Sequence, residues 1–246
     1  MSPSTSTGPT RDAIDLSQGL PTGDAKAKAV RAMFDTISPR YDLVNRVMTF
    51  RMDVGWRKRT VKALGLPSGS RVLDLAAGTG DLCRDLAKTG LVPIGMDLSF
   101  GMLSHARTEA PLVQCDALRL PVADGAVDGV TCGFALRNFS DLDQFFAEIG
   151  RVTRPGGRVA LLDASTPPNR LMKFGHGIYF GRVVPLIGGL LSDPTAYRYL
   201  PKSLAYLPEP PVMLTMLQSH GFSGVQRDLL AGGIAQLIVG TKAGTL

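Results

Sequence analysis

The chain has 246 residues, enough for one large domain with an attached cap, and its 44% hydrophobic and 20% charged composition is that of a globular protein, which excludes a fibrous or wholly disordered one. A net charge of +6 suits an anionic partner, nucleic acid or an acidic lipid surface, unless it serves only solubility. Cys83, Cys115 and Cys132, with His105, His176 and His220, form no pair at a metal-ligand spacing, which argues for reduced thiols and against a structural metal.

Residues 1–23 are rich in Ser, Thr, Pro and Gly and lack an apolar h-region, so they read as a disordered leader and not as a signal peptide. From Asp24 to Leu64 the apolar spacing is helical and broken at Pro39. Val30, Met33, Phe34 and Ile37 share one face, Leu43, Val44, Val47 and Met48 a second, and Trp56, Val61 and Leu64 a third. Residues 24–65 are therefore expected to cap the edge of the sheet that follows. Tyr41, Asp42 and Asn45 share a face of the middle helix, directed either at a pocket or at solvent.

Strands at 71–75, 92–96, 112–115, 127–132 and 158–163 then alternate with helices at about 80–89, 99–109 and 141–152. Ser99 and Asp141 stand where N-caps belong, and Arg154-Pro155-Gly156-Gly157 reads as a tight turn. This alternation predicts an α/β fold with a doubly wound, mostly parallel sheet covered on both faces. Residues 166–207 carry no strand signal but many apolar residues, and read as a helical insertion after the fifth strand that covers the substrate. Within it, Ile178 to Leu191 is interrupted by Arg182, Pro185 and glycines and falls short of the ~20 residues of a spanning helix. A last helix at 211–220 and two runs, Val225 to Leu230 and Ile234 to Gly240, close the chain. Only Ala231-Gly232-Gly233 separates those runs, which predicts a hairpin with one antiparallel strand at the sheet edge, making seven strands in all.

The stretch RVLDLAAGTGD, Arg71 to Asp81, carries the chemistry. An apolar strand runs into Gly78 and Gly80, where the backbone turns tightly and comes close to a ligand. A dinucleotide fingerprint needs a third small residue where Cys83 stands, and Asp81 adds negative charge beside the amides that would hold a phosphate. A cationic ligand without phosphate suits the loop better, and S-adenosylmethionine (SAM), with its sulfonium, is one. Asp74 fits a loop that receives an amino-acid ligand. Asp97 ends the second strand, where ribose hydroxyls are accepted, and Asp116 follows the third, where an adenine amino group is accepted. Each aspartate alone is equally well a turn or cap residue.

Six segments carry a resemblance: MFDTISPRYDLVNRVMTF with Trp56 downstream, VLDLAAGTGDL, GFALRNFSD, RVTRPGGRVALLDASTP, SDPTAYRYLPKSL and GGIAQLIVGTK. In this order, from about Met33 to Lys242, they resemble the demethylmenaquinone / 2-polyprenyl-benzoquinol C-methyltransferase family of Rossmann-like class I SAM-dependent methyltransferases. The resemblance implies that Thr79, Asp97, Asp116 and Ala117 contact SAM. Where the family often has serine after the fourth strand, this chain has Gly133, so a contact there must come from the backbone. Asp53 replaces the family's histidine and leaves the role of that helix open.

In such a reaction the ring carbon attacks the methyl once a neighbouring hydroxyl has lost its proton. Arg137, beside Asn138, is expected to stabilise the phenolate; a water, Asp42, Asp163 or His176 is left to take the proton. The expected partner is a polyprenylated quinol drawn from the membrane, with Leu186, Ile187, Leu190 and Leu191 lining a tunnel or touching lipid, helped by Lys173 and Arg182. The enzyme is then expected in the cytoplasm, at the inner face of the membrane, without nucleic acid, and a homodimer is compatible with the sequence. A naphthoquinol ring, a benzoquinol ring, another small molecule and a non-catalytic SAM-binding role remain open; an RNA substrate is disfavoured by the lack of a basic run interleaved with aromatics.

Overall fold

The computed structural model describes residues 22–184, 186–187, 199 and 202–244. Residues 1–21 of the expected leader, Leu190, Leu191 and most of the 192–204 segment lie outside the described residues.

The sheet is assembled from β1 (Arg71–Leu75), β2 (Val92–Asp97), β3 (Leu112–Gln114), β4 (Val127–Gly133), β5 (Thr153–Ala164), β6 (Phe222–Leu230) and β7 (Ala235–Lys242). Their order is β3-β2-β1-β4-β5-β7-β6. Neighbours from β3 to β5 are parallel, and β7 runs antiparallel to both β5 and β6. The chain winds outward from β1 in one direction through β2 and β3, then returns to β4 on the other side. The carboxyl ends of β1 and β4 therefore part and leave a crevice.

Helices α1 (Gly23–Ile37), α2 (Tyr41–Met48) and α3 (Met52–Leu64) form the cap; α4 (Asp81–Ala87), α5 (Phe100–Ser104) and α6 (Leu142–Val152) are crossovers; α7 (Arg170–Ile178) lies in the insertion and α8 (Pro210–Ser219) precedes the hairpin. The apolar stripe of α6 buries Phe145, Phe146, Ile149 and Val152 completely against β1, β4 and β5. Each such side chain contributes about 1.5–3 kcal/mol before entropic costs. On the other face Trp56, Val61 and Leu64 of α3 join Leu82 and Leu86 of α4 over Val72, Ala160 and Leu162. Ser99 and Asp141 are N-caps, accepting from the amides of Met102 (3.0 Å) and Gln144 (2.9 Å).

Four expectations are corrected. The helix begun at Ser99 stops at Ser104 instead of 109, because the chain turns to dock on the glycine loop, where the Arg107 amide donates to the Thr79 carbonyl at 3.0 Å. Residues 154–157 belong to β5, absorbed as an irregularity in its pairing with β4, with Gly156 at φ 76°. The antiparallel strand β7 lies inside the sheet and β6 takes the edge: Leu237 and Ile238 are buried, whereas most of β6 is exposed and suits the outer place. On α2, Leu43 (56% exposed) and Val47 (40%) face outward, leaving Val44 fully buried and Met48 packed against the same cluster.

Candidate functional site

Two cavities open at the carboxyl ends of the strands. The backbone beside the crevice is left-handed at Ala76 (φ 53°), Gly78 (φ 56°) and Gly80 (φ 78°) after β1, and at Phe134 (φ 61°) after β4. Asp97 ends β2 with one carboxylate oxygen accepting from the Gly78 amide and the other from the Ser99 amide, each at 2.8 Å. Burial raises its pKa, and those two amides act against the shift. The first cavity is lined by Gly78, Asp97, Asp116, Ala117, Gly133 and Asn138 under a roof from α1. A Cβ added at Gly78 would meet nothing within 4 Å, so the loop leaves room beside these carboxylates. Acceptors for hydroxyl and amino groups between apolar walls fit the adenosine half of SAM. At Gly133 an added Cβ would come within 2.9 Å of Leu82 Cδ1, a packing reason for glycine there.

Three of the predicted cofactor residues do not line either cavity. Asp74 is 1% exposed, accepting from Thr131 Oγ1 (2.9 Å) and Cys83 Sγ (3.3 Å), and burial lifts its pKa to about 7. The Thr79 hydroxyl donates to Asp42 Oδ1 on α2. Gly80 shapes the turn, for a Cβ there would lie 2.7 Å from Thr108 Cγ2.

The second cavity is mostly apolar and holds Asn45, Thr49, Trp56, Arg137, His176 and Tyr179 in its wall. Arg137 is buried and ion-paired with Asp163; its Nη1 also donates to the Phe134 carbonyl (2.8 Å) and its Nε to Ser203 Oγ (3.2 Å). The pair follows from the fold, since β4 and β5 are neighbours and end side by side. Asp163 further accepts from the amides of Arg137 (3.1 Å) and Ala164 (2.7 Å), and so is committed to holding the turn. Asp42 is committed to Thr79. His176 lies in the wall of the second cavity, and burial lowers its pKa from the ordinary imidazole value.

Asp53, where the resemblance left a question, is fully buried, accepts from Thr49 Oγ1 at 2.7 Å and pairs with Arg57. Arg57 reaches Asp81 (3.1 Å) and Asp85 (3.2 Å) on α4 as well, so this cluster binds the cap to the helix behind the glycine loop. Sequence reasoning did not anticipate that clamp. It also did not single out Phe34 or Phe134, although Phe34 sat on a predicted core face and Phe134 next to Gly133.

Residues 22–242 match the ubiE/COQ5 methyltransferase family. The chain is 42% identical over 234 residues to a demethylmenaquinone methyltransferase of Deinococcus radiodurans, covering 90% of this chain and 97% of that one. It is 41% identical over 220 residues to a protein of the same name from Thermus thermophilus, covering 85% and 100%. Among solved structures, a SAM-dependent methyltransferase from Thermotoga maritima shares the fold with a TM-score of 0.62 at 16% identity, over 87% of this chain and 99% of that one.

Proposed function

The chain belongs to the ubiE/COQ5 methyltransferase family and is a SAM-dependent methyltransferase; we propose that its acceptor is demethylmenaquinol, methylated on a ring carbon to give menaquinol. The observation that carries this is the meeting of the two cavities, one walled by Asp97 and Asp116 and the other apolar with Arg137 in its wall. Bound SAM supplies an electrophilic methyl group. Asp97 and Asp116 would hold the adenosine, and the apolar wall of the second cavity would orient the quinol for in-line attack on the methyl group. Such positioning supplies up to ~7–11 kcal/mol in favourable cases.

Arg137, fixed by Asp163 and Ser203, stabilises the oxygen that becomes phenolate. Asn138 lines the first cavity, where it orients the bound cofactor. Of the proton acceptors left open by the sequence, His176 stands in the wall of the second cavity with a pKa lowered by burial, and it takes the proton. The test is to offer labelled SAM with short-chain demethylmenaquinol and with the corresponding benzoquinol, and to identify the product. Label on the naphthoquinol ring is expected. Label on the benzoquinol alone would move the enzyme to the ubiquinone pathway, and no transfer to either would leave a SAM-binding subunit.

A peripheral contact with the membrane belongs to the same reading. On α7, Met172 and His176 turn toward the second cavity, while Leu171 (80% exposed), Phe174 (68%) and Ile178 (42%) form an opposite apolar face next to Lys173. Among the described residues no helix is long and apolar enough to cross a membrane, so this face would lie on the lipid and not span it. Flotation with anionic vesicles should fall sharply in a Leu171→Ser/Phe174→Ser variant. Undiminished flotation, or a dimer that dissociates in that variant, would assign the face otherwise.

A further inference from the structure

Among the described residues, three side chains line both cavities, and all three are aromatic: Phe34 from α1, Tyr41 from α2 and Phe134 from the turn after β4. Among the described residues no charged one is shared between the two walls. Phe34 and Tyr41 meet edge to face, with centroids 6.0 Å apart and planes at 71°. Phe134 leans on Trp56 at 6.2 Å. Its backbone sits at φ 61°, a region that disfavours a residue with a side chain. Two bonds hold it there: the Phe134 amide donates to the Leu162 carbonyl at 2.6 Å, and its own carbonyl accepts from Arg137 Nη1 at 2.8 Å. The ring is thus aimed by the same arginine that lines the acceptor cavity.

Methyl transfer between the cavities must pass this junction, and the group that passes is bonded to a positively charged sulfur. Aromatic faces attract such a cation through their quadrupole and attract a neutral thioether far less. Resting on the reading of the chain as a SAM-dependent methyltransferase, we propose that Phe34, Tyr41 and Phe134 form an aromatic throat that recognises the sulfonium charge and discriminates SAM from S-adenosylhomocysteine. The attraction is present before transfer and lost after it. When the ring carbon forms its bond to the methyl and the sulfur keeps the electron pair of the broken bond, the sulfur becomes neutral, so the throat favours the charged reactant over the spent product. A carboxylate at the same place would attract the sulfonium as well, but it would repel the developing phenolate; aromatic rings carry no net charge and avoid that conflict.

The test is calorimetric and needs no turnover. Kd is measured for SAM and for S-adenosylhomocysteine with the full chain and with the Phe34→Leu, Tyr41→Leu and Tyr41→Phe variants. Each leucine variant should weaken SAM by about 3- to 10-fold while the affinity for S-adenosylhomocysteine stays within about twofold, and Tyr41→Phe, which keeps the π face, should behave as the parent. Equal weakening of both ligands would reduce the rings to packing, and no change in either would remove them from the cofactor site; each result overturns the throat. Should one leucine variant not fold, the other decides alone. Failure of the parent chain to bind SAM would instead strike the proposed function itself.

Discussion

The hydroxyl of Thr79 on the glycine loop donates a 2.5 Å hydrogen bond to Asp42 Oδ1 on cap helix α2. Arg46 lies 4.0 Å from Asp42 and 3.7 Å from Asp81, so the cap is fastened to the loop at two points. Asp42→Ala is therefore expected to loosen the roof of the cofactor cavity, weakening SAM by about tenfold, the scale of one charged hydrogen bond. Turnover at saturating SAM should change by less than about threefold, and Thr79→Ala should add little to it in the double variant. Calorimetry with initial rates checks this; a ~10²-fold loss of turnover at unchanged Kd would return Asp42 to the chemistry.

Arg137 and Asp163 should be inseparable in stability and separable in catalysis. Asp163 is 0% exposed, so Arg137→Ala strands a buried carboxylate and should cost about 3–5 kcal/mol in urea denaturation. Adding Asp163→Asn should recover much of that loss. It should not recover turnover, expected to stay down by ~10²-fold in both variants, while SAM affinity falls by no more than the ~10-fold that misplacing Phe134 would cause. Recovery of turnover along with stability would mark Arg137 as a structural residue.

What the sequence made legible was local. The strand end at Asp97, the turn at Gly78 and the caps Ser99 and Asp141 are each set within a few residues and stand where the sequence put them; Asp116 lies two residues past the end of β3, in the wall of the first cavity. Pairing across the chain was less accessible. Asp74 faces inward to Cys83 and Thr131 because a strand's alternation does not say which face holds a polar neighbour. Thr79, implied as a SAM contact, and Asp42, a candidate proton acceptor, are joined by a hydrogen bond across 37 positions, which neither segment announces alone. The Arg57 clamp on Asp53, Asp81 and Asp85 likewise depends on how α3 crosses α4, which no single helix encodes.

His176 supplies a pH test. Burial lowers its pKa from the ordinary imidazole value, so the loss of its ability to accept a proton is moved toward acid pH. The rate with quinol should rise through that lowered pKa and level off toward pH 7. His176→Gln should remove the acid limb and lower the plateau by ~10²-fold, within the usual range for a lost general base. An unchanged acid limb would assign the proton to another acceptor.

Cys115 lines the first cavity, and its thiol is pushed up to about 11 by burial, then by the charges of Asp116 and Asp97. At pH 8 only about 10⁻³ of it is thiolate, so a disulfide reagent should modify the native protein slowly. Cys83 and Cys132 are completely buried and should react only on unfolding. SAM should protect Cys115, and Asp116→Asn should speed its labelling. Equal labelling with and without SAM would put the ligand elsewhere.

Asp74 makes the stability of the fold depend on pH in a defined direction. Its folded pKa, raised to about 7 from 3.8 by burial, exceeds the unfolded value, so between those pH values the folded chain keeps a proton that the unfolded chain has released. More protons bound in the folded state means that stability falls as pH rises across that window and is level above it. Asp74→Asn cannot ionise, and its amide oxygen still accepts from Thr131. The variant should therefore lose the slope that Asp74 contributes and gain on the parent protein by on the order of 2–4 kcal/mol between pH 4 and pH 8. Asp97, also raised by burial, is present in both proteins and largely cancels. Urea denaturation at four pH values measures the difference, and two parallel stability curves would show that Asp74 ionises like an ordinary surface carboxylate.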